Sequence, residues 1–321
     1  MEKLRYLFEN FNLAEMMVKH WEYDEESVKL FRNFRISSNA IYPFEIHGKA
    51  HFLRLSPDST KEVGVIEDEI SFTKYLRTEG YDAVNFIASR NGKLVESCET
   101  PWGLYNASVM EGVLGQELED LEMDASIAFE FGSSLGKLHK LSSTYEVMPS
   151  NRMHCVEALT WCENYLLDFP EHKEIIDAIE LLKPVLKALP KVRTQYGLIH
   201  YDFDLDNVFL DRESRKIHVI DFDDCMMSWY DMDVVLSLDK LGNAHQDSFI
   251  RGYNSHYQLS SDFERLAPIF RQFTLIYSYT RIVRSIEEKW ENEPAWMINL
   301  RSKFASYLIK TKEQIKENIL C

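Results

Sequence analysis

The chain has 321 residues, 45% of them hydrophobic, enough to bury a sizeable core in one two-lobed unit or two domains. Its 36 Lys plus Arg stand against 52 Asp plus Glu, and the net charge of −16 argues against nucleic acid or an anionic membrane as partner. The same charge mildly favours a cationic small ligand, although solubility alone accounts for it equally well. No run approaches the roughly 20 apolar residues of a bilayer span. The amphipathic, acid-containing start MEKLRYLFENFNLAEMM lacks the pattern of an export signal. Cys98, Cys155, Cys162, Cys225 and Cys321 are scattered, without a C-x-x-C pair, and read as reduced thiols. The expected location is the cytoplasm.

Along the chain, Leu4, Leu7, Phe8 and Phe11 have helical spacing and predict a leading helix over 4–20. Turn chemistry then predicts two hairpins, 39–46 with 50–55 about His47-Gly48, and 84–90 with 93–97 about Asn91-Gly92. Between them 63–78 reads as a helix, and 107–113 as a further apolar strand. From Ala125 the period turns helical: 127–141 is amphipathic, 156–169 and 173–189 form a pair, and helices return from Asp247 to the end. No repeat or low-complexity linker interrupts this pattern. Its change of character puts a boundary near Gly112–Gly115, dividing 1–112 from 113–321.

The most informative stretch is Leu198–Asp224, LIHYDFDLDNVFLDRESRKIHVIDFDD. Val208–Leu210 and Ile217–Ile220 are short β-branched-rich runs around the polar Asp211–Lys216, a hairpin signal. An antiparallel hairpin returns its last residue beside its first, so Asn207 and Asp221 are expected together at the open end. A carboxylate and an amide oxygen make a hard, oxygen-only site suited to Mg²⁺, completed by nucleotide phosphates. Asp202 precedes the pair by one short loop, within reach of a hydroxyl held near those phosphates, as in a phosphotransferase.

These residues resemble the signature of the aminoglycoside phosphotransferase and choline kinase-like family: His-Gly-Asp, four residues, Asn, then a strand pair ending in Asp. Here it reads His200-Tyr201-Asp202, Asn207 and Asp221, with Tyr201 in place of Gly. The resemblance implies an α+β, two-lobed protein-kinase-like fold, with a small antiparallel β lobe bearing one key helix and a larger, mostly helical lobe. It also implies ATP and Mg²⁺ as cofactors and transfer of the γ-phosphate to a hydroxyl of a small molecule of aminoglycoside, amino alcohol or hydroxy amino acid type. Asp202 would be the catalytic base or hydroxyl-orienting group, Asn207 and Asp221 the metal ligands, and His200 a neutral brace for the loop. Asp231, with Asp233 as a rival, would hold that loop's backbone.

Such kinases also need a strand cation for the phosphates and a helix carboxylate to hold it. Arg54 in HFLRLS is the candidate cation. Val65, Glu69, Phe72 and Leu76 share one helical stripe, which favours Glu69 over Glu67 as the acid facing inward, where it needs a partner; an ordinary strand-to-helix ion pair would read the same way. The loop Arg35–Ala40, with Ser38, stands where phosphates would be covered, and it has no glycine. Met110 and the backbone of Glu111 and Val113 would meet adenine. Trp290, Trp296, Tyr253, Tyr257, Tyr277 and Tyr279 fall where the family builds its acceptor pocket, core packing being the alternative for most. Asp223 and Asp224 stand as a second metal site, a substrate contact or a solvated loop; with Asp204 and Asp206 they are the ground for expecting a cationic acceptor.

Three rivals remain. A kinase of protein side chains needs a long activation segment ending in Ala-Pro-Glu, and only FDDCMMSWY separates Asp221 from Asp231. A catalytically silent nucleotide-binding protein need not keep Asp202, Asn207 and Asp221 together. A metallohydrolase would draw on His200, since His47 and His51 span a predicted turn that does not aim both rings at one ion.

Overall fold

The structure, a computed structural model, describes residues 10–36, 39–146, 151–287, 293 and 295–317. Helix α1 (Phe11–Val18) is capped by the Asn10 side chain, which accepts from the Leu13 amide at 2.9 Å. The expected leading helix is thus shorter, and its buried stripe is Leu13, Ala14, Met17 and Val18; Leu4, Leu7 and Phe8 lie outside the described residues. A 3-10 stretch, Glu25–Asn33, leads into β1 (Arg35–Ile36), β2 (Ala40–Ile46) and β3 (Lys49–Pro57). The β2–β3 turn works because His47 and Gly48 both take positive φ, 52° and 70°, and both amides donate to the Asp24 carboxylate.

Helix α2 (Val63–Thr78) has the predicted bounds and is followed by β4 (Phe86–Ile87), β5 (Glu96–Thr100) and β6 (Gly103–Glu111). The antiparallel sheet runs β1-β2-β3-β6-β4, with β5 also on β6. This corrects the second expected hairpin. Asn91-Gly92 does form a tight turn, with the Ser89 amide donating to Lys93 O at 2.7 Å, but its flanks do not pair with each other. Nine-residue β6 takes both on one edge, while the Asn91 side chain and the Ser89 hydroxyl donate to the buried Glu96 carboxylate and turn the chain away.

After the short β7 (Gln116–Glu117) come α3 (Ala125–Ser142), α4 (Cys155–Leu166), α5 (Lys173–Ala188), β8 (Tyr196–Ile199), the hairpin β9 (Val208–Asp211) and β10 (Lys216–Val219), and β11 (Met226–Trp229). Helices α6 (Tyr230–Lys240), α7 (Asn243–Asn254), α8 (Phe263–Ile286) and α9 (Ala295–Glu317) complete the chain. Two small sheets, β10-β9-β7 and β11-β8, carry the loops of the site. Helices α3 and α7 cross in backbone contact: a Cβ on Gly132 would lie 2.0 Å from Phe249 O, and one on Gly252 2.0 Å from Phe129 O. No larger residue fits either position without moving a helix.

The first sheet packs its own core, Leu13, Met17, Trp21, Phe44, Leu53 and Val109 among others. Helix α2 packs instead with the larger core, where Phe72 meets Phe222 edge-on at 6.1 Å. The Val84 amide donates to Val219 O and the Val219 amide to Asp82 O, so the β9–β10 hairpin is tied directly to the chain entering β4. The architecture is α+β, and the helix that carries Glu69 is anchored in the helical half.

Candidate active site

The hairpin register pairs Val208 with Val219, and the Ile220 amide donates to Asn207 O at 3.0 Å. Asn207 and Asp221 therefore meet at the open end, where both line one cleft. Asp221 sits in the left-handed region (φ 59°, ψ 57°), after which Phe222–Asp224 make a 3-10 turn into β11. The Asn207 Nδ2 donates to Asp202 O at 3.0 Å and to Asp202 Oδ2 at 3.1 Å. Its amide oxygen is the donor atom left over.

Burial, then the charges of Asp223, Asp202 and Asp224, push the Asp221 pKa well above the ordinary carboxylate range. A buried carboxylate among carboxylates fits a divalent cation, which would supply the missing positive charge. Among the described residues no three His, Cys, Asp or Glu converge to hold a metal, so protein atoms alone make an incomplete shell. The metallohydrolase thus lacks a ligand set, whereas phosphates could complete the shell. Asp202, tied to the cleft residue Asn207, is exposed; partial burial of its carboxylate, then Asp224, Asp204 and Asp206, push its pKa up to about 6.

The loop bearing Asp202 is held from behind. The amides of His200 and Tyr201 both donate to the fully buried Asp233 carboxylate, at 2.8 Å each. His139 bridges the same carboxylate (3.1 Å) and the Tyr253 hydroxyl (2.9 Å). Asp233, not Asp231, takes the bracing position: Asp231 faces the other way, accepting from the Ser260 amide and hydroxyl. Sequence spacing could not separate the two acids, since each is two residues from the other on the first turn of α6. His200 Nε2 donates to Ile220 O at 3.0 Å, and burial pushes the ring's pKa down, keeping it neutral. Tyr201 adopts φ 68°, the backbone a glycine takes freely. Its buried ring packs edge-on against Phe273 and Tyr277, offsetting a strain of about 1–2 kcal/mol.

Removing the Asp233 carboxylate would strand two buried amides and His139. Asp233→Ala is expected to lower unfolding free energy by about 3 kcal/mol or more, at about 1–3 kcal/mol per unsatisfied group. Urea denaturation checks this, and a loss near that of Asp231→Ala would place the brace elsewhere.

Across the cleft, Arg54 on β3 and Glu69 on α2 form a buried bidentate pair, Nη1 to Oε1 and Nη2 to Oε2 at 2.9 Å each. Arg54 also lies 3.6 Å from Asp223 and over the Phe86 ring at 5.4 Å. Between this pair and the hairpin end is a cavity of about 610 Å³. Phe52, Met110, Phe209 and Ile220 give it apolar walls; Glu111 and Val113 lie at its edge. The Glu111 amide donates to Asn85 O, whereas the Val113 N–H donates to no backbone acceptor among the described residues. Ser38 lies outside the described residues. Its neighbour Asn39 donates to Asp223 at 3.1 Å and accepts from Ser56 at 2.6 Å.

Several groups were not legible from the sequence. Lys61 pairs with Asp223, Arg281 grips Asp224 at 2.6 and 3.1 Å, and Arg152 donates to Asp223 O and Val65 O while lying 3.7 Å from Glu69. These partners are tens of residues apart in sequence, with no local pattern to reveal them. Burial alone would raise the Asp223 pKa, but Lys61 and Arg54 overcome it and hold it well below the usual range; Arg281 does the same for Asp224. Asp204 is paired with Lys240. Three of the four acids behind the expected cationic acceptor are thus paired with cations of the chain itself. Of the aromatic residues singled out, Trp290 lies outside the described residues and Trp296 is 49% exposed on α9. Tyr253, Tyr257 and Tyr279 are tied to His139, Thr194 O and His172. Tyr277 lines a second cavity, beside Arg281.

A family model described as the phosphotransferase enzyme family matches residues 36–269. Amicoumacin kinase of Bacillus subtilis (strain 168) is 23% identical over 268 residues, 82% of this chain and 72% of that protein. Among solved structures, amicoumacin kinase hAmiN in complex with AMP-PNP, Ca²⁺ and Ami superposes with a TM-score of 0.77 at 17% identity, covering 97% of this chain and 95% of that one. A microcompartment-associated aminopropanol kinase gives 0.73 at 21% identity, covering 97% and 99%. These likenesses fix the fold, and the family match spans well over half of the chain. It belongs to the phosphotransferase enzyme family, the ATP- and divalent-metal-dependent kinases of small molecules.

Proposed function

We propose that this kinase transfers the γ-phosphate of ATP to a hydroxyl of a small metabolite or antibiotic, with Asp202 as the residue facing the acceptor. The observation that carries the reading is the joining of Asp202, Asn207 and Asp221 at one hairpin end, opposite the Arg54–Glu69 pair. The names of the relatives, an amicoumacin kinase and an aminopropanol kinase, support a small-molecule acceptor, which this reading takes to be of amino alcohol, aminoglycoside or hydroxy amino acid type. Residues 1–112 would hold most of the nucleotide, and 113–321 the catalytic loop and acceptor. The need for ATP is the reason to place the reaction in the cytoplasm.

Met110 and the backbone at Glu111 and Val113 receive the adenine, Val113 through its spare N–H. Arg54 has N–H groups beyond those spent on Glu69 and directs them at phosphate oxygens. Asn207 and Asp221 would hold Mg²⁺, which offsets the phosphate charge when bound. Asp202 accepts a hydrogen bond from the acceptor hydroxyl and aligns it in line with the phosphorus. Because the transition state is loose, the hydroxyl keeps its proton until late, and the carboxylate takes it as the new O–P bond completes.

The segment after Asp221 disfavours protein substrates: it passes through one 3-10 turn and β11 straight into α6, leaving no platform for an extended peptide. ATP consumption measured against amino alcohols, hydroxy amino acids and aminoglycosides tests the reading. Acceptor-dependent ADP release is expected for at least one class; ATP use only with a protein substrate would transfer the assignment to a protein kinase.

A further inference from the structure

Beside the nucleotide cleft, the chain from Asp221 to Asp224 divides two spaces. Asp221 lines the cleft, while Asp223 and Asp224 line a second cavity of about 570 Å³ between the start of α2, the segment around Arg152, β11 and α8. Tyr277, which lines this cavity, packs edge-on at 5.6 Å against the ring of Tyr201, the neighbour of Asp202, so the cavity adjoins the place where an acceptor hydroxyl would arrive.

Its charges do not cancel inside. Lys61, Arg152, Arg281 and Arg284 line it, and each lining acid of the inner wall is already taken. Asp223 sits between Lys61 and Arg54, and Asp224 is gripped by Arg281. Arg284 lies one turn beyond Arg281 on α8, half-buried, and forms no ion pair among the described residues. Among the described residues Glu62, exposed at the rim, is the lining acid without a cation. A half-buried guanidinium with no ion pair among the described residues is open to an anion supplied by a ligand, and its planar fork of N–H groups matches a carboxylate.

We propose that the acceptor carries an anionic group, a carboxylate, which is bound in this cavity by Arg284 while its hydroxyl faces Asp202. The inference rests on the kinase reading above and names the charge of its substrate class: a hydroxy acid or hydroxylated amino acid, not a purely cationic amino alcohol. Arg281, locked on Asp224 and lying over the Tyr277 ring at 5.4 Å, shapes the wall; Arg284 supplies the open charge.

The test uses the full chain with Mg²⁺-ATP, ADP release as the readout, and acceptors in matched pairs. Glycerate is compared with glyceramide, 3-hydroxybutyrate with its amide, and homoserine with homoserinamide, with 1-amino-2-propanol as the cationic arm. The carboxylate member is expected to have a kcat/KM at least tenfold higher than its amide. Arg284→Gln is expected to erase that preference by raising the acceptor KM, with kcat and the KM for ATP unchanged, and Arg284→Lys to restore part of it. Amides or the amine turning over as well as the acids, a preference that survives Arg284→Gln, or no stimulation by any acceptor would each overturn the proposal. The acceptor-free rate separates this from failure of the kinase reading. Slow ATP hydrolysis that disappears in Asp221→Asn keeps the reading, whereas protein that neither hydrolyses nor binds Mg²⁺-ATP brings down both.

Discussion

Asp202→Asn is expected to lower kcat by roughly 10²–10⁴-fold, the usual scale for loss of a general base, and to leave Mg²⁺-ATP affinity near that of the parent. Asparagine keeps the size and one hydrogen-bonding oxygen but cannot take the hydroxyl proton. The nucleotide contacts proposed here come from Arg54, Asn207, Asp221 and the backbone at Val113, none of which the change removes. Asp221→Asn is expected to damage both quantities, because it removes the carboxylate charge at the metal position. Calorimetric titration with Mg²⁺-ATP, set beside turnover, separates the two variants. An Asp202→Asn enzyme with parental activity, or one that loses nucleotide binding instead, would remove Asp202 from the acceptor side and end the mechanism.

The second large effect concerns Arg54 and Glu69. Each is almost wholly buried, and each gives both terminal atoms to the other. Truncating either strands a buried charge, at a cost to stability of about 3–5 kcal/mol for a pair of this kind. Asp223 at 3.6 Å from Arg54, and Arg152 at 3.7 Å from Glu69, would each recover part of that cost. Arg54→Ala, Glu69→Ala and the double variant are expected to be strongly non-additive in turnover, with a coupling of about 2–3 kcal/mol, the upper part of the range for residues in contact. Simple addition of the single losses would mean that the pair does not act as a unit on the phosphates.

What could be read in advance followed the range of the forces involved. The β9–β10 hairpin, the His47-Gly48 turn and the bounds of α2 depend on residues a few places apart, and alternation, turn chemistry and helical spacing report those. The inward-facing stripe on α2 singled out Glu69 for the same reason. The Asn91-Gly92 turn misled because local turn chemistry says nothing about the distant strand β6, which captured both flanks. The second acid of α6 could not be preferred over the first without α3, whose His139 closes the network around Asp233. Arg281 and Arg284 stand one turn apart on α8, but only packing brings Lys61 and Arg152 to them, so the charge of the second cavity was invisible in a net total of −16.

The grip of Asp233 on the amides of His200 and Tyr201 reaches into the dynamics of the enzyme. Those two N–H groups can exchange with deuterium only when a buried carboxylate lets go, so they are expected among the slowest-exchanging amides of the chain, opening with global unfolding. The Val113 N–H, bonded to no backbone acceptor among the described residues, is expected to exchange quickly in the free protein and slowly once nucleotide is added. Asp202 is therefore expected to ride on one of the slowest-opening parts of the chain, with the faster fluctuation on the nucleotide side of the cleft.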